Sequence, residues 1–218
     1  MRDNRKNGSS SRIFAGACAL ALISSLGAAP AGAQPAAKIK EPVTAAACKA
    51  QPGKQYFVEF RSRTAASYGH SFVFFGKLGT GGKFGKFQVA GLHPKGDDPA
   101  VYMQGHMVPV PSDTGASNGD LDEQYLTARY CVVLNEAEYN RVAVFISQLQ
   151  ARSKEWHAPT KNCNGFIGDV AKSMGLNAPP SPLLLPEHYV ALMRDLNGGK
   201  TALSSASASA TQWDSWGR

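Results

Sequence analysis

Cysteine is scarce in this chain, four among 218 residues, and no two are spaced Cys-x-x-Cys. Nor do any of the five histidines stand at His-x-x-x-His spacing. These absences exclude the usual zinc frameworks, so neither a metal nor another cofactor is expected. The longest apolar stretch, Ile13 to Leu26, is too short and too rich in Ala and Gly to cross a membrane. The glycines at 79, 81 and 82 lack a following helix and a Gly-Lys-Ser/Thr ending, so they read as a hairpin turn rather than a phosphate loop. Charge of one sign is also modest, and no basic cluster is interleaved with aromatics, which argues against nucleic acid as a partner.

What is present begins with a targeting pattern. Arg2, Arg5, Lys6 and Arg12 precede the apolar stretch, and Ala31-Gly32-Ala33 follows it as a small-residue cleavage site. Residues 1–33 are therefore expected to be a signal peptide, and the protein periplasmic or secreted, with no membrane span after processing. Cys18 lies inside the apolar stretch rather than at a lipoprotein anchor position. The remaining 185 residues carry 19 basic and 15 acidic side chains, a net charge of +4. They suffice for one domain with a real core. Residues 34–50 read as a flexible leader, 51–198 as a single α+β domain and 199–218 as a disordered tail.

Within the domain, strands come first and helices later, which predicts an antiparallel sheet with helices packed against it. The aromatic stretch from Tyr56 to Arg61 reads as a strand. His70-Ser71-Phe72-Val73-Phe74-Phe75-Gly76 reads as a strand buried on both faces. Lys83 to Ala90 returns as a hairpin partner, and Val101 to Val110 and Ala128 to Leu134 read as further strands. Residues 112–122 are expected to form a surface loop rimming a site. Asn135-Glu136-Ala137-Glu138 is a capping box that opens a helix with Tyr139, Val142, Phe145, Ile146 and Leu149 on its apolar face. Asn162 caps another helix, whose buried face is Phe166, Ile167, Val170, Ala171 and Met174, with Gly175 as its stop. Pro186 opens a last short helix.

Three cysteines remain after processing of the leader. In an oxidising compartment two are expected to pair, and Cys48 and Cys131, which flank strand-like segments, are the pair favoured here. That leaves Cys163 free in the first turn of the Asn162-capped helix, where free amides and the helix dipole favour a thiolate. His70, at the head of the buried strand, is its candidate base. The two lie 93 residues apart in sequence, as partners that meet only in the fold do.

Asn162-Cys163-Asn164-Gly165-Phe166, with Gly69-His70-Ser71-Phe72-Val73 upstream, resembles the circularly permuted papain-fold thiol hydrolases. That group includes PPPDE peptidases, lecithin:retinol acyltransferase-like enzymes and permuted relatives of NlpC-type cell-wall peptidases. The resemblance spans roughly Tyr56 to Leu176 and implies a permuted papain-like (NlpC-type) fold with His70 and Cys163 as catalytic residues. The position two after the cysteine, often His in PPPDE peptidases, is Gly165 here. The resemblance also implies a third catalytic residue on a strand beside the histidine. His106 is preferred, with Gln104 and His93 as alternatives, while Tyr68 and Asn162 are expected to support the substrate or its oxyanion. The implied activity is cleavage of an amide or ester through a thioester, on a cell-envelope peptide, peptidoglycan or lipid substrate. Acyl transfer on lipids by the same dyad, and a non-catalytic envelope-binding module, are the alternatives.

Overall fold

A computed structural model describes residues 48–65, 67–79 and 84–203. The expected signal peptide, most of the leader and the low-complexity stretch after residue 203 lie outside the described residues, which all belong to one compact unit, Pro35–Arg218. The fold is α+β. A four-stranded antiparallel sheet has the order β3 (Phe84–Ala90), β2 (His70–Leu78), β1 (Tyr56–Arg63) and β6 (Leu126–Leu134). A smaller antiparallel sheet joins β4 (His93–Pro94), β5 (Val110–Asp113) and β7 (Glu155–Trp156). Four α-helices complete the described residues: α1 (Pro99–Gln104), α2 (Glu136–Arg152), α3 (Cys163–Ser173) and α4 (Pro186–Leu196).

Alternation along the strands divides the main sheet into two faces. Val58, Phe60, Val73, Phe75, Tyr130 and Val132 share a core with the buried faces of α2, α3 and α4. The opposite face carries Phe57, Phe72, Phe74, Cys131 and Val133, which form a second cluster. This explains why β2 is apolar at consecutive positions: both of its faces are covered, as its unbroken run of buried residues from His70 to Gly76 shows. Cys48 and Cys131 form a disulfide, which ties the chain ahead of β1 to β6 on this second face. Beside it Glu59 is fully buried and accepts a hydrogen bond from Arg61 Nη2 at 2.9 Å, with Arg129 Nε at 3.5 Å.

The helix signals act as their residues suggest. Asn135 and Glu138 complete the capping box of α2, and the Asn162 side chain accepts the Gly165 amide at 3.0 Å to cap α3. All five residues expected on the inner face of α3 are buried.

Two expectations are corrected. The strand placed at Val101 to Val110 is instead α1, a loop and only then β5. Asp98 accepts the Ala100 amide at 2.8 Å and Pro99 opens the first turn, so capping and proline geometry override the alternation of Val101 and Met103. Residues 199–203, expected to belong to a disordered tail, are placed against the main sheet. Tyr130 donates to Lys200 O at 2.9 Å, the Val133 amide donates to Thr201 O at 2.8 Å, and Ala202 bridges to Val133, because the open edge of β6 offers backbone groups that need partners.

Removing the bridge with Cys48→Ser and Cys131→Ser together is expected to destabilise the fold by about 2–5 kcal/mol. Thermal melting with and without a reductant reads this directly. Identical melting curves for the variant and the oxidised protein would show that the bridge holds nothing.

Candidate active site

The main sheet and α3 meet where β2 begins and α3 begins. The turn before β2 contains Gly69 at φ +99°, where a Cβ would also lie 2.8 Å from Arg63 O, so only glycine turns the chain tightly enough here. His70 follows, paired with Arg63 across the sheet. Ser71 faces the helices and donates from Oγ to Asn164 Oδ1 at 2.8 Å. Asn164, 2 % exposed, also donates from Nδ2 to Pro182 O at 3.1 Å and Leu184 O at 2.7 Å. Asn162 donates to Ala158 O at 2.8 Å and Pro182 O at 3.1 Å while capping the helix. Both asparagines of the Asn-Cys-Asn sequence therefore clamp the first turn of α3, and Cys163 is held between them.

Cys163 is the free cysteine of the described residues and is buried. The hydroxyl and amide of Ser71 and the amides of Asn164 and Cys163 itself surround its sulfur. Burial pushes the thiol above its ordinary value and outweighs these hydrogen bonds, which pull it down. The expectation of a thiolate favoured by the helix start is thus corrected: desolvation wins.

His70 is buried at 7 % exposure, stacked on Phe72 with ring centroids 5.9 Å apart. Burial pushes it down from 6.5 to about 4; Asp120 opposes this, and Arg63 and His93 add to it. It is a neutral imidazole at neutral pH. Its Nε2 is buried without a hydrogen-bond partner, facing Gly91, where a Cβ would lie 2.9 Å away. Any side chain at 91 would thus displace the ring.

Of the candidates for a third residue, His93 is the one placed beside His70, ring edge to ring face with centroids 5.8 Å apart. Its Nδ1 lies 3.0 Å from Pro94 O, and since a carbonyl only accepts, Nδ1 carries a proton. Its Nε2 is also buried and unpartnered. His106 and Gln104 are not on a strand beside His70. Gln104 ends α1, and His106, exposed after it, bonds through Nδ1 to Tyr102 O at 3.0 Å. His157 pairs with Thr160 Oγ1, and His188 is on the surface of α4.

His70, His93 and Cys163 line one cleft of about 540 Å³. No hydrogen bond joins His70 to Cys163. The apolar wall includes Tyr68, Leu92, Tyr102 and Trp156, and Asp97 and Asp98 stand among the lining residues. The Tyr68 hydroxyl is pushed well above its usual range by burial first, then by its hydrogen bond with Tyr102, and its charge would also be opposed by nearby Cys163. Tyr68 therefore keeps its proton, and it lines the same cleft as Cys163. Residues 117 and 118 of the polar loop do rim the cleft. Arg63 binds that loop through Nε to Asp120 Oδ1 at 2.6 Å and through Nη2 to Ser117 Oγ at 2.9 Å.

Ser71, Asn164 and the Arg63–Asp120 pair had no role assigned from sequence. Ser71 and Asn164 directly follow the two residues singled out, and that adjacency was the signal available for them. Among the described residues, the one grouping of metal-capable side chains is Cys48, Glu59 and Cys131. Its two sulfurs are joined to each other and its carboxylate faces Arg61, so it is structural.

No family model, curated protein or solved structure matches this chain.

Because the pKa of His70 falls on folding, the unfolded chain takes up its proton first as pH drops. The stability that the neutral ring contributes is complete above pH 6.5 and is lost as pH falls toward 4, by about 3 kcal/mol. Denaturant unfolding of the wild type and His70→Gln between those limits tests this. The variant is expected to lack that part of the slope, and parallel pH curves would contradict it.

Proposed function

We propose that this protein is a Cys–His thiol hydrolase with a permuted papain-like arrangement, cleaving an amide or ester bond through a thioester. The observation that carries this is the shared cleft: Cys163 at the start of α3 and His70 at the start of β2 line it together, in the His-before-Cys order. A cleft partly lined by aromatic and apolar side chains, with a few polar groups converging, is also the ordinary form of a small-molecule or peptide site.

The buried neutral thiol and buried neutral imidazole define how such a reaction would run. No charge-separated pair waits in the resting site. A bound carbonyl compound closes the cleft to water, and the imidazole takes the thiol proton as sulfur attacks the carbonyl carbon. The oxyanion formed on the carbonyl oxygen has the first amides of α3 and the Tyr68 hydroxyl within its surroundings. Collapse of this intermediate expels the amine or alcohol, which receives the proton from His70, and leaves a thioester. Water, deprotonated by the same imidazole, then releases the acid and restores the thiol. His93, whose ring stands edge-on to His70 with centroids 5.8 Å apart, is the proposed positioning residue for that ring.

An exported chain would meet cell-envelope peptides, peptidoglycan stems or lipid-linked compounds, and these are the proposed substrate classes. Cys163→Ala and His70→Ala are each expected to abolish turnover of peptide amides and activated esters. Mass spectrometry of a trapped adduct on Cys163 identifies whether the donor is peptidyl or fatty-acyl. Full turnover by Cys163→Ala would end this proposal.

Iodoacetamide supplies an independent check on the neutral pair. Folded Cys163 is expected to react more slowly at neutral pH than the same thiol in the unfolded chain, and faster as pH rises. Rapid labelling of the folded protein at neutral pH would instead indicate a standing thiolate.

A further inference from the structure

A second cavity, of about 410 Å³, opens on the other side of the α3 start. Leu92, only 4 % exposed, lines both cavities, and consecutive residues divide between them: Asn162 lines the second and Cys163 the first. The candidate nucleophile therefore stands at the boundary.

The two cavities differ in charge. Asp97 and Asp98 line the first, whose single cation, Arg63, is held by Asp120. The second is lined by Arg152, Lys154, Lys161 and Lys172 against Glu155 and Asp169. Lys161 pairs with Glu155 at 2.9 Å and Lys172 with Asp169 at 3.6 Å. Among the described residues, neither Arg152 nor Lys154 has a carboxylate partner, and the Arg152 guanidinium lies over the Phe145 ring, 5.3 Å from its centroid. Their backbone is nonetheless fixed: the Ser112 amide donates to Lys154 O at 3.2 Å and Ser112 Oγ to Ser153 O at 2.8 Å. Phe166 and Tyr189, both buried, supply its inner wall. A concave surface with an apolar floor and two cations lacking counter-charges is suited to an organic anion, whose charge those cations would balance.

We propose that this second cavity binds an anionic group, carboxylate or phosphate, and that it holds the anionic end of a substrate whose carbonyl is presented to Cys163. Use as a substrate subsite rests on the thiol-hydrolase proposal; binding of the anion does not.

The test is a titration of the full chain at low ionic strength, followed by backbone amide NMR shifts, with three probes: inorganic phosphate, tri-alanine, and tri-alanine amide. Saturable shifts at Lys154 and Gly165 are expected with phosphate, with tri-alanine, or with both, and not with the amide. Response to phosphate alone assigns a phosphate-bearing ligand, and response to tri-alanine assigns a peptide carboxylate. The double variant Arg152→Gln, Lys154→Gln, whose changes are on the surface, is expected to raise the midpoint by about fivefold or more. Added NaCl is expected to raise it in the wild type. Cys163→Ala is expected to bind as the wild type does. A linear, non-saturating response, an unchanged midpoint in the double variant, or equal binding of the amide each overturns the proposal. Failure of the catalytic proposal looks different: turnover survives in Cys163→Ala while the anion still binds.

Discussion

The hydrogen bond from Ser71 Oγ to Asn164 Oδ1 joins the first residues of β2 to the first turn of α3, and the geometry of the cleft depends on it. A buried amide side chain must satisfy its polar atoms or cost the fold a few kcal/mol. Asn164 does so by reaching a strand on one side and the 182–184 segment on the other. That requirement fixes the rotation of α3 about its axis and its position along the sheet. With α3 placed, Cys163 has one location, against Ser71 and on the cleft wall.

The electrostatics follow from the same seating. Packing the helix start onto a strand end removes water from both His70 and Cys163. For an isolated titratable group, desolvation favours whichever form is neutral, so imidazole shifts down and thiol shifts up. Hydrogen bonds to the sulfur and the carboxylate of Asp120 act in the opposite direction and are smaller. The result is a pair of neutral groups whose proton affinities lie on the wrong sides for spontaneous transfer. A ligand that introduces developing negative charge is what would make transfer favourable, and a site of this kind would stay unreactive toward solvent until it is filled.

Much of this was legible in the residues because it rests on short-range chemistry. The caps Asn135 and Asn162, the doubly buried strand at 70–76 and the inner face of α3 all follow from local hydrogen bonding and periodicity. The Cys48–Cys131 bridge followed from counting the thiols expected to remain in an oxidising compartment. Alternation misled at Val101 to Val110, since four alternating positions weigh less than an Asp98-Pro99 helix start. Residues 200–203 were read as tail because the open β6 edge that holds them is a property of the assembled sheet.

The third histidine shows the limit most clearly. From sequence, His106 was preferred over Gln104 and His93 because Val101 to Val110 was read as a strand carrying Gln104 and His106 on one face. Only the fold turns β4 back beside β2, bringing His93 to His70, and carries His106 away on the loop after α1. The pKa directions were equally out of reach, because desolvation is set by how much protein surrounds a group and not by its neighbours in the chain. By itself, then, the sequence determined most of the helix and strand segments, Val101 to Val110 excepted, and which two thiols pair. Tertiary structure decided which of the candidate residues share a cleft, what charge state burial imposes on them, and that a cation-lined cavity adjoins the thiol, because all three depend on packing between segments far apart in the chain.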